Sequence, residues 1–194
     1  MKRSEMKVKK KKEDIILSAI AIMNRQGTKG ATMEQIAAEL LMTKGSLYYY
    51  FRNKEDLIFQ CHVLVLSRAN EDIQQVVSSD KSYEERLREM IALHIDYAIN
   101  EKETFNMIIR PDKTFAEDQL QPLFEKRAIY SRFFDEIIER GIESGEFEKV
   151  DVRMVRMILL GAMNWIQQWY KEDGKKSIEE IQQVYADYLI KLLK

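Results

Sequence analysis

Cysteine, histidine, proline and glycine are all scarce in this chain. Its one cysteine, Cys61, excludes an internal disulfide framework and every multi-cysteine metal site. Two histidines, His62 and His94, leave little material for a histidine-based metal centre, so no metal and no cofactor are expected. Pro111 and Pro122 are the only prolines, and seven glycines are spread over 194 residues. Sheet-rich folds use both residue types in their many turns, so these counts favour long helices with few breaks. No apolar run approaches the ~18 residues of a membrane span, so no membrane partner is expected. The leading MKRSEMKVKKKKEDII is basic but has no apolar segment and no small-residue cleavage site. That reads against secretion and toward a soluble cytoplasmic protein. Phosphate loops, zinc signatures and nucleotide fingerprints are also missing. Cys61 and His62 are neighbours, which on a helix point about 100° apart and cannot readily serve as nucleophile and base. No catalytic residue is therefore assigned, and the chain reads as a non-enzyme.

What is present is a core and a charge asymmetry. Hydrophobic residues make up 45% of the chain and charged residues 32%, enough to bury one domain, or a small one joined to a mid-sized one. The formal net charge of −1 conceals two unlike parts. Residues 1–60 carry 12 Lys/Arg against 7 Asp/Glu, and the rest carries 19 against 25. Five of the six residues from Lys7 to Lys12 are lysine. A basic front on an acidic body points to nucleic acid or another anionic surface as the partner of the front; a solvated charged tail is the other reading.

Helix signals run throughout. Ile16, Ala19, Ile20 and Met23 follow the i, i+3, i+4, i+7 rule, and Gly27 supplies a stop. Thr32 and Gln35 (TMEQ), Ser82 and Glu85 (SYEE), and Ser177 and Glu180 (SIEE) each form a capping box, in which the hydroxyl accepts an amide and the third residue reaches back. Thr43, Asn53 and Asp151 are placed to start three more helices. A helix from Ser82 carries Leu87, Met90, Ile91, His94 and Ile95 on its apolar stripe. Pro111 breaks the pattern near residues 110–118, and a long helix follows to about Ser144. The stretch MILLGAMNWI is apolar over more than one face and must be covered on more than one side. Ile178, Ile181, Tyr185, Tyr188 and Leu192 are spaced 3, 4, 3, 4, the pattern of a helix-pairing seam. The fold class expected is all-α, with about nine helices: a three-helix unit over residues 12–51 ahead of a larger helical body.

Residues 32–54, TMEQIAAELLMTKGSLYYYFRNK, give two short amphipathic helices a few residues apart, which is helix-turn-helix spacing. The second helix carries Lys44, Gly45, Ser46, Tyr48 and Tyr49, offering a cation, a close-approach glycine, a hydroxyl and two phenols. Phosphate contacts need such donors, and a helix entering the major groove needs small or polar residues in its first turn. Leu47 and Phe51, four apart, can anchor the opposite face.

TKGSLYYYF followed by NKEDL resembles the signature of TetR-family transcriptional regulators. The resemblance covers residues 12–60 closely and the remainder only as a helix pattern. It implies an all-helical homodimer with a DNA-binding domain at residues 1–52 and an effector-binding, dimerising domain at 53–194. It implies that Thr32 meets phosphate, that Thr43, Lys44, Gly45 and Ser46 lie at the DNA face, that Tyr48 and Tyr49 meet backbone or base edges, and that Lys54 reaches a flanking phosphate. Leu41 departs from the pattern, because the family usually has glycine there. Either the turn avoids positive φ, or it is mildly strained.

The body supplies material for a small-ligand pocket: Phe105, Phe124, Tyr130, Phe134 and Met163 as apolar lining, with His94, Arg127, Asn164 and Gln167 as polar handles. Core filling is the other reading of each. GAMNWIQQWYKEDGKKS resembles the penultimate helix of TetR-type regulators of fatty-acid and related acyl-thioester breakdown. The reading reached is a ligand-responsive repressor. It binds a palindromic operator in double-stranded DNA as a homodimer paired through helices at about 152–171 and 177–193. A small hydrophobic effector, an acyl chain or acyl-CoA, releases it by re-tilting a helix from Asn53 to about Ser78. An apolar cation as effector, an effector-independent activator or architectural protein, and a helical membrane-surface or partner-binding protein remain the alternatives.

Overall fold

The computed structural model describes residues 3–109, 115 and 117–194. Every regular element among them is helical. The first, α1 (Arg3–Gly30), is interrupted at Gly27, whose φ of 75° and ψ of 157° lie outside helical space. Only glycine takes that conformation without strain, so the expected stop is real. α1 begins well before residue 12. The lysine run is therefore helical surface rather than an extended arm: lysine is a good helix former, and the turns anchored by Ile15, Ile16, Ala19 and Ile20 propagate backward through it.

The expected caps all form. Thr32 starts α2 (Met33–Glu39) and Ser82 starts α5 (Tyr83–Asn100), both as capping boxes; Ser177 does the same for α10 (Ile178–Leu189). Thr43 caps α3 (Lys44–Tyr50). Asn53 Oδ1 accepts the Asp56 amide at 2.8 Å ahead of α4 (Lys54–Val77). Asp151 caps α8 (Val152–Asn164). Each contributes about 1 kcal/mol to its helix. The remaining elements are α6 (Lys102–Ile109), α7 (Glu117–Glu143), a single turn α9 (Ile166–Trp169), and a 3-10 turn at Ile190–Leu193. The break expected around Pro111 lies outside the described residues.

Two compact units result, one from residues 1–66 with 103–123, the other from 67–102 with 124–194. The first buries Ile15, Ile22, Met23, Ile36, Leu47, Phe51, Leu57 and Cys61. The second has a core in which Ile73, Leu87, Met90, Ile91, Ile95, Phe134, Ile137, Leu159, Met163, Ile166, Ile181 and Leu189 pack together. Gly141 faces the Phe147 ring so closely that a Cβ there would lie 2.2 Å from it, which is why this helical position has no side chain.

Leu41 settles the question of the turn between α2 and α3. Its φ is 53°, in the left-handed region. The Met42 amide donates to Ala37 O at 2.8 Å and the Leu41 amide to Ala38 O at 3.0 Å. That is a Schellman motif with leucine in the position glycine ordinarily takes. The backbone geometry is kept, and the chain bears the strain of a β-carbon in it; the side chain is 96% exposed and recovers nothing by packing. Leu41→Gly is expected to raise stability by about 0.5–1 kcal/mol, the relief of left-handed strain less the entropy glycine adds to the unfolded chain. A denaturant midpoint at or below wild type would contradict this.

Candidate DNA-binding and effector sites

α3 sorts its side chains cleanly. Leu47 and Phe51 are buried and seat the helix, while Thr43, Lys44, Gly45, Ser46, Tyr48 and Tyr49 are exposed. Thr43 Oγ1 accepts the Ser46 amide at 3.1 Å and lies 2.9 Å from the Ser46 hydroxyl, so the first turn presents an ordered pair of hydroxyls. Tyr49 is 75% exposed and stacks edge-on against Tyr50, ring centroids 5.1 Å apart. Thr32 is exposed at the start of α2, and Lys54, half-buried, opens α4. Lys12, at the end of the lysine run, lies over the Phe51 ring, 5.4 Å from its centroid. Cations, hydroxyls, phenols and a helix N-terminus therefore share one small helical unit, which can hold phosphates and read base edges.

The second unit contains a polar chain built on the buried His94, with Tyr130 and Asn164 half-buried on either side. The Tyr130 hydroxyl lies 3.0 Å from His94 Nδ1, and His94 Nε2 lies 3.1 Å from Asn164 Oδ1. Because Asn164 Oδ1 can only accept, the proton sits on Nε2, and Tyr130 donates to Nδ1. The Phe134 ring closes one side, its centroid 6.4 Å from that of His94. One turn beyond Asn164, Gln167 donates to the Asn164 carbonyl at 3.3 Å, and its own Oε1 is buried without a hydrogen-bond partner. Burial drives the His94 pKa down to about 4 and pushes that of Tyr130 far above its ordinary value, so both stay neutral.

Residues 15–61 match the family described as bacterial regulatory proteins, tetR family, and residues 80–193 match the tetracyclin repressor-like C-terminal domain. The chain belongs to the TetR family. As such it is a bacterial regulatory protein with a helix-turn-helix in its first unit. The fatty acid metabolism regulator protein of Bacillus subtilis (strain 168) is 24% identical over 181 residues, covering 91% of this chain and 92% of that protein. Among solved structures, a TetR/AcrR-family regulator from Thermobifida fusca matches with a TM-score of 0.81 at 22% identity, over 93% of this chain and 97% of that one. AibR, in complex with isovaleryl coenzyme A and operator DNA, matches with a TM-score of 0.74 at 24% identity, over 94% and 97%.

In this TetR-family chain the residues expected at a pocket fall into three groups. His94, Tyr130, Phe134, Asn164 and Gln167 come together, and Met163 is buried in the same core. Arg127 is half-buried on α7, while Phe124 near its start is exposed. Phe105, on α6, belongs to the other compact unit. The expected seam also divides. Ile181 is buried in the core of its own chain, Ile178 is half-buried, and Tyr185 stacks on Trp169, ring centroids 6.4 Å apart; only Tyr188 and Leu192 are exposed. Val184 and Tyr188 on α10, with Leu192 in the 3-10 turn that follows, make the outward apolar stripe instead. Met154, Met157, Ile158 and Trp165 make a second exposed stripe along α8, which the periodicity of the terminal helix could not reveal. Its signal was the all-round apolarity of MILLGAMNWI.

Cys61 and His62 are structural. The thiol donates to Ile16 O at 3.8 Å, and His62 Nδ1–H donates to Ile58 O at 2.7 Å, with the Phe115 ring centroid 4.8 Å away. Burial lowers the His62 pKa to about 4. Among the described residues, no group of three or more His, Cys, Asp or Glu could hold a metal ion, and no helix is long and apolar enough to cross a membrane.

These two histidines contribute to the acid response. In the unfolded chain each takes up a proton near pH 6.5, while in the fold each resists until about pH 4. Above pH 6.5 neither contributes a pH dependence. As pH falls from 6.5 to 4 the unfolded state binds protons first, and stability declines by on the order of 3 kcal/mol per histidine. Thermal midpoints measured across that window are expected to drop steeply for wild type and less steeply for His94→Gln. Parallel slopes would show that His94 does not carry the effect.

Proposed function

We propose that this regulator is a cytoplasmic homodimeric repressor whose residues 1–52 bind a palindromic operator and whose residues 53–194 bind a small hydrophobic effector of the acyl-thioester class. In this reading Thr32, Thr43, Lys44, Gly45, Ser46, Tyr48, Tyr49 and Lys54 contact DNA, and the lysines of α1 add sequence-independent attraction to phosphate. Two recognition helices set one duplex turn apart, ~34–36 Å, read the half-sites with additive free energy. The exposed stripes of α8 and α10 pair with those of a second copy. Its role is one of binding, and no catalytic step is required of it.

The observation carrying the effector class is the chain Tyr130–His94–Asn164 built on the buried His94, with the unpartnered Gln167 oxygen beside it, against an apolar core. An acyl chain suits the apolar side chains of that core, and an amide N–H such as pantetheine carries would satisfy Gln167 Oε1. The names of the relatives support the class: one is a fatty acid metabolism regulator, and AibR was crystallised with isovaleryl coenzyme A. Helix α4 contributes residues to both compact units, and it is the element whose tilt would carry the signal. A coupling of about 1–3 kcal/mol gives a 5–150-fold change in operator affinity.

The test is a titration of the protein on its operator with acyl-coenzyme A thioesters of increasing chain length. Release from DNA at micromolar concentration, stronger for one chain length, and weakened at least tenfold by Gln167→Leu, is expected. Indifference to every thioester, with release by an aromatic cation instead, would overturn the effector class.

A further inference from the structure

Glu34, in the first turn of α2, sets a carboxylate oxygen against the ammonium of Lys44, in the first turn of α3. The same ammonium lies over the Tyr48 ring, 5.8 Å from its centroid. The two side chains are 58% and 56% exposed, so the contact is made in solvent, on the surface that carries the donors of α3. Their hydrogen bond holds the Glu34 carboxyl below its ordinary pKa and Lys44 above its own, so both are charged at neutral pH. An exposed pair of this kind adds ~0–1 kcal/mol to a fold. A carboxylate among the DNA-facing donors is also a cost when the molecule approaches phosphate. Stability does not account for it, and non-specific attraction to DNA is opposed by it.

We propose that Glu34 is a specificity-determining residue of the DNA site: it withholds the Lys44 ammonium from indiscriminate phosphate contact and leaves it able to donate to a base acceptor where the operator offers one. The proposal rests on reading α3 as the recognition helix. An ammonium has three N–H donors, so Lys44 can keep Glu34 and still donate to a neutral base acceptor, whereas a phosphate competes with the carboxylate for it. On a non-cognate duplex the incoming phosphate only replaces the carboxylate, and the freed Glu34 charge repels the backbone, so the exchange returns almost nothing. At the operator α3 seats in the groove, and Lys44 donates to a base acceptor such as guanine O6 or N7 without giving up Glu34, so the penalty falls on the non-cognate duplex alone. The outcome is discrimination through a penalty on the wrong sequence rather than an extra contact to the right one.

The experiment compares two duplexes of equal length: an operator selected by the wild-type protein from random sequences, and its scrambled counterpart. Glu34→Gln keeps the size of the side chain and removes the charge. Glu39→Gln removes the same charge from the other end of α2, where Glu39 pairs with Arg25 at 2.5 Å. For Glu34→Gln the expected result is scrambled-duplex binding five- to tenfold tighter, operator binding changed less than twofold, and a salt slope on scrambled DNA steeper by about two per dimer. In a Lys44→Ala background the gain should vanish, and Glu39→Gln should give no comparable gain. Equal tightening on both duplexes, no tightening, a matching effect of Glu39→Gln, or a gain that survives without Lys44 would each overturn the proposal. A wild-type protein that selects no sequence at all would instead defeat the recognition-helix reading, so the two failures are distinguishable.

Discussion

Tyr188→Glu is expected to turn the dimer into monomers. Tyr188 is 67% exposed on α10, midway along the stripe of Val184, Tyr188 and Leu192, with the Lys191 ammonium over its ring at 4.8 Å. In a twofold interface the same residue enters twice, so one substitution places two carboxylates in the seam. An ionised group buried without a full set of partners costs several kcal/mol, and two of them raise the dissociation constant by roughly three orders of magnitude or more. Sedimentation at micromolar concentration should show monomers. The monomer should retain its helical signal, because the second unit's own core, from Ile73 to Leu193, does not use Tyr188. Operator affinity should collapse with it, since a single head makes only half of the contacts. A variant that still sediments as a dimer would place the seam elsewhere.

Lys44→Ala and Tyr49→Ala should do the opposite: operator binding fails and the dimer persists. Both side chains are exposed in the first unit, so truncation leaves the buried anchors Leu47 and Phe51 in place and shifts stability by no more than about 0.5 kcal/mol. A base or phosphate contact is worth about 1–3 kcal/mol, and the dimer makes it in both half-sites. Affinity should therefore fall by between about 30-fold and 10⁴-fold. If Lys44 serves phosphate, the salt slope should also become shallower by about two. Unchanged operator affinity in both variants, measured beside an intact dimer, would show that this face of α3 does not read DNA.

Much of the architecture was legible before any coordinates because helix starts are local. A hydroxyl, carboxylate or carboxamide oxygen three residues ahead of an orphan amide decides a cap within one turn, so Thr32, Thr43, Asn53, Ser82, Asp151 and Ser177 could each be read from a handful of neighbours. The outward face of α3 was legible for the same reason: Leu47 and Phe51, four apart, leave the intervening positions to solvent. Leu41 shows where local reading stopped. The sequence stated the conflict between a bulky residue and a left-handed turn, and only the folded turn, with its two closing hydrogen bonds, shows that the backbone kept its shape and the residue bears the strain.

The fate of each apolar stripe was decided by packing. Ile181 and Tyr188 are seven apart and look equivalent in a period-3.5 pattern, but Ile181 lies in the core and Tyr188 in solvent. α10 is fastened to α5, where Gln182 Nε2 donates to Ala92 O at 3.0 Å, and that contact rotates one edge of the stripe inward. His94 likewise sits on an apolar stripe like any core residue; its chain to Tyr130 and Asn164 joins positions 36 and 70 residues away. What the sequence alone determined is therefore the helical class, the capped starts of six helices and the donor-rich outer face of α3, because those depend on interactions within one or two turns. What only the tertiary structure decided is which apolar faces are consumed by the chain's own core and which polar groups meet inside it, because burial belongs to neighbours that the chain brings together from far apart.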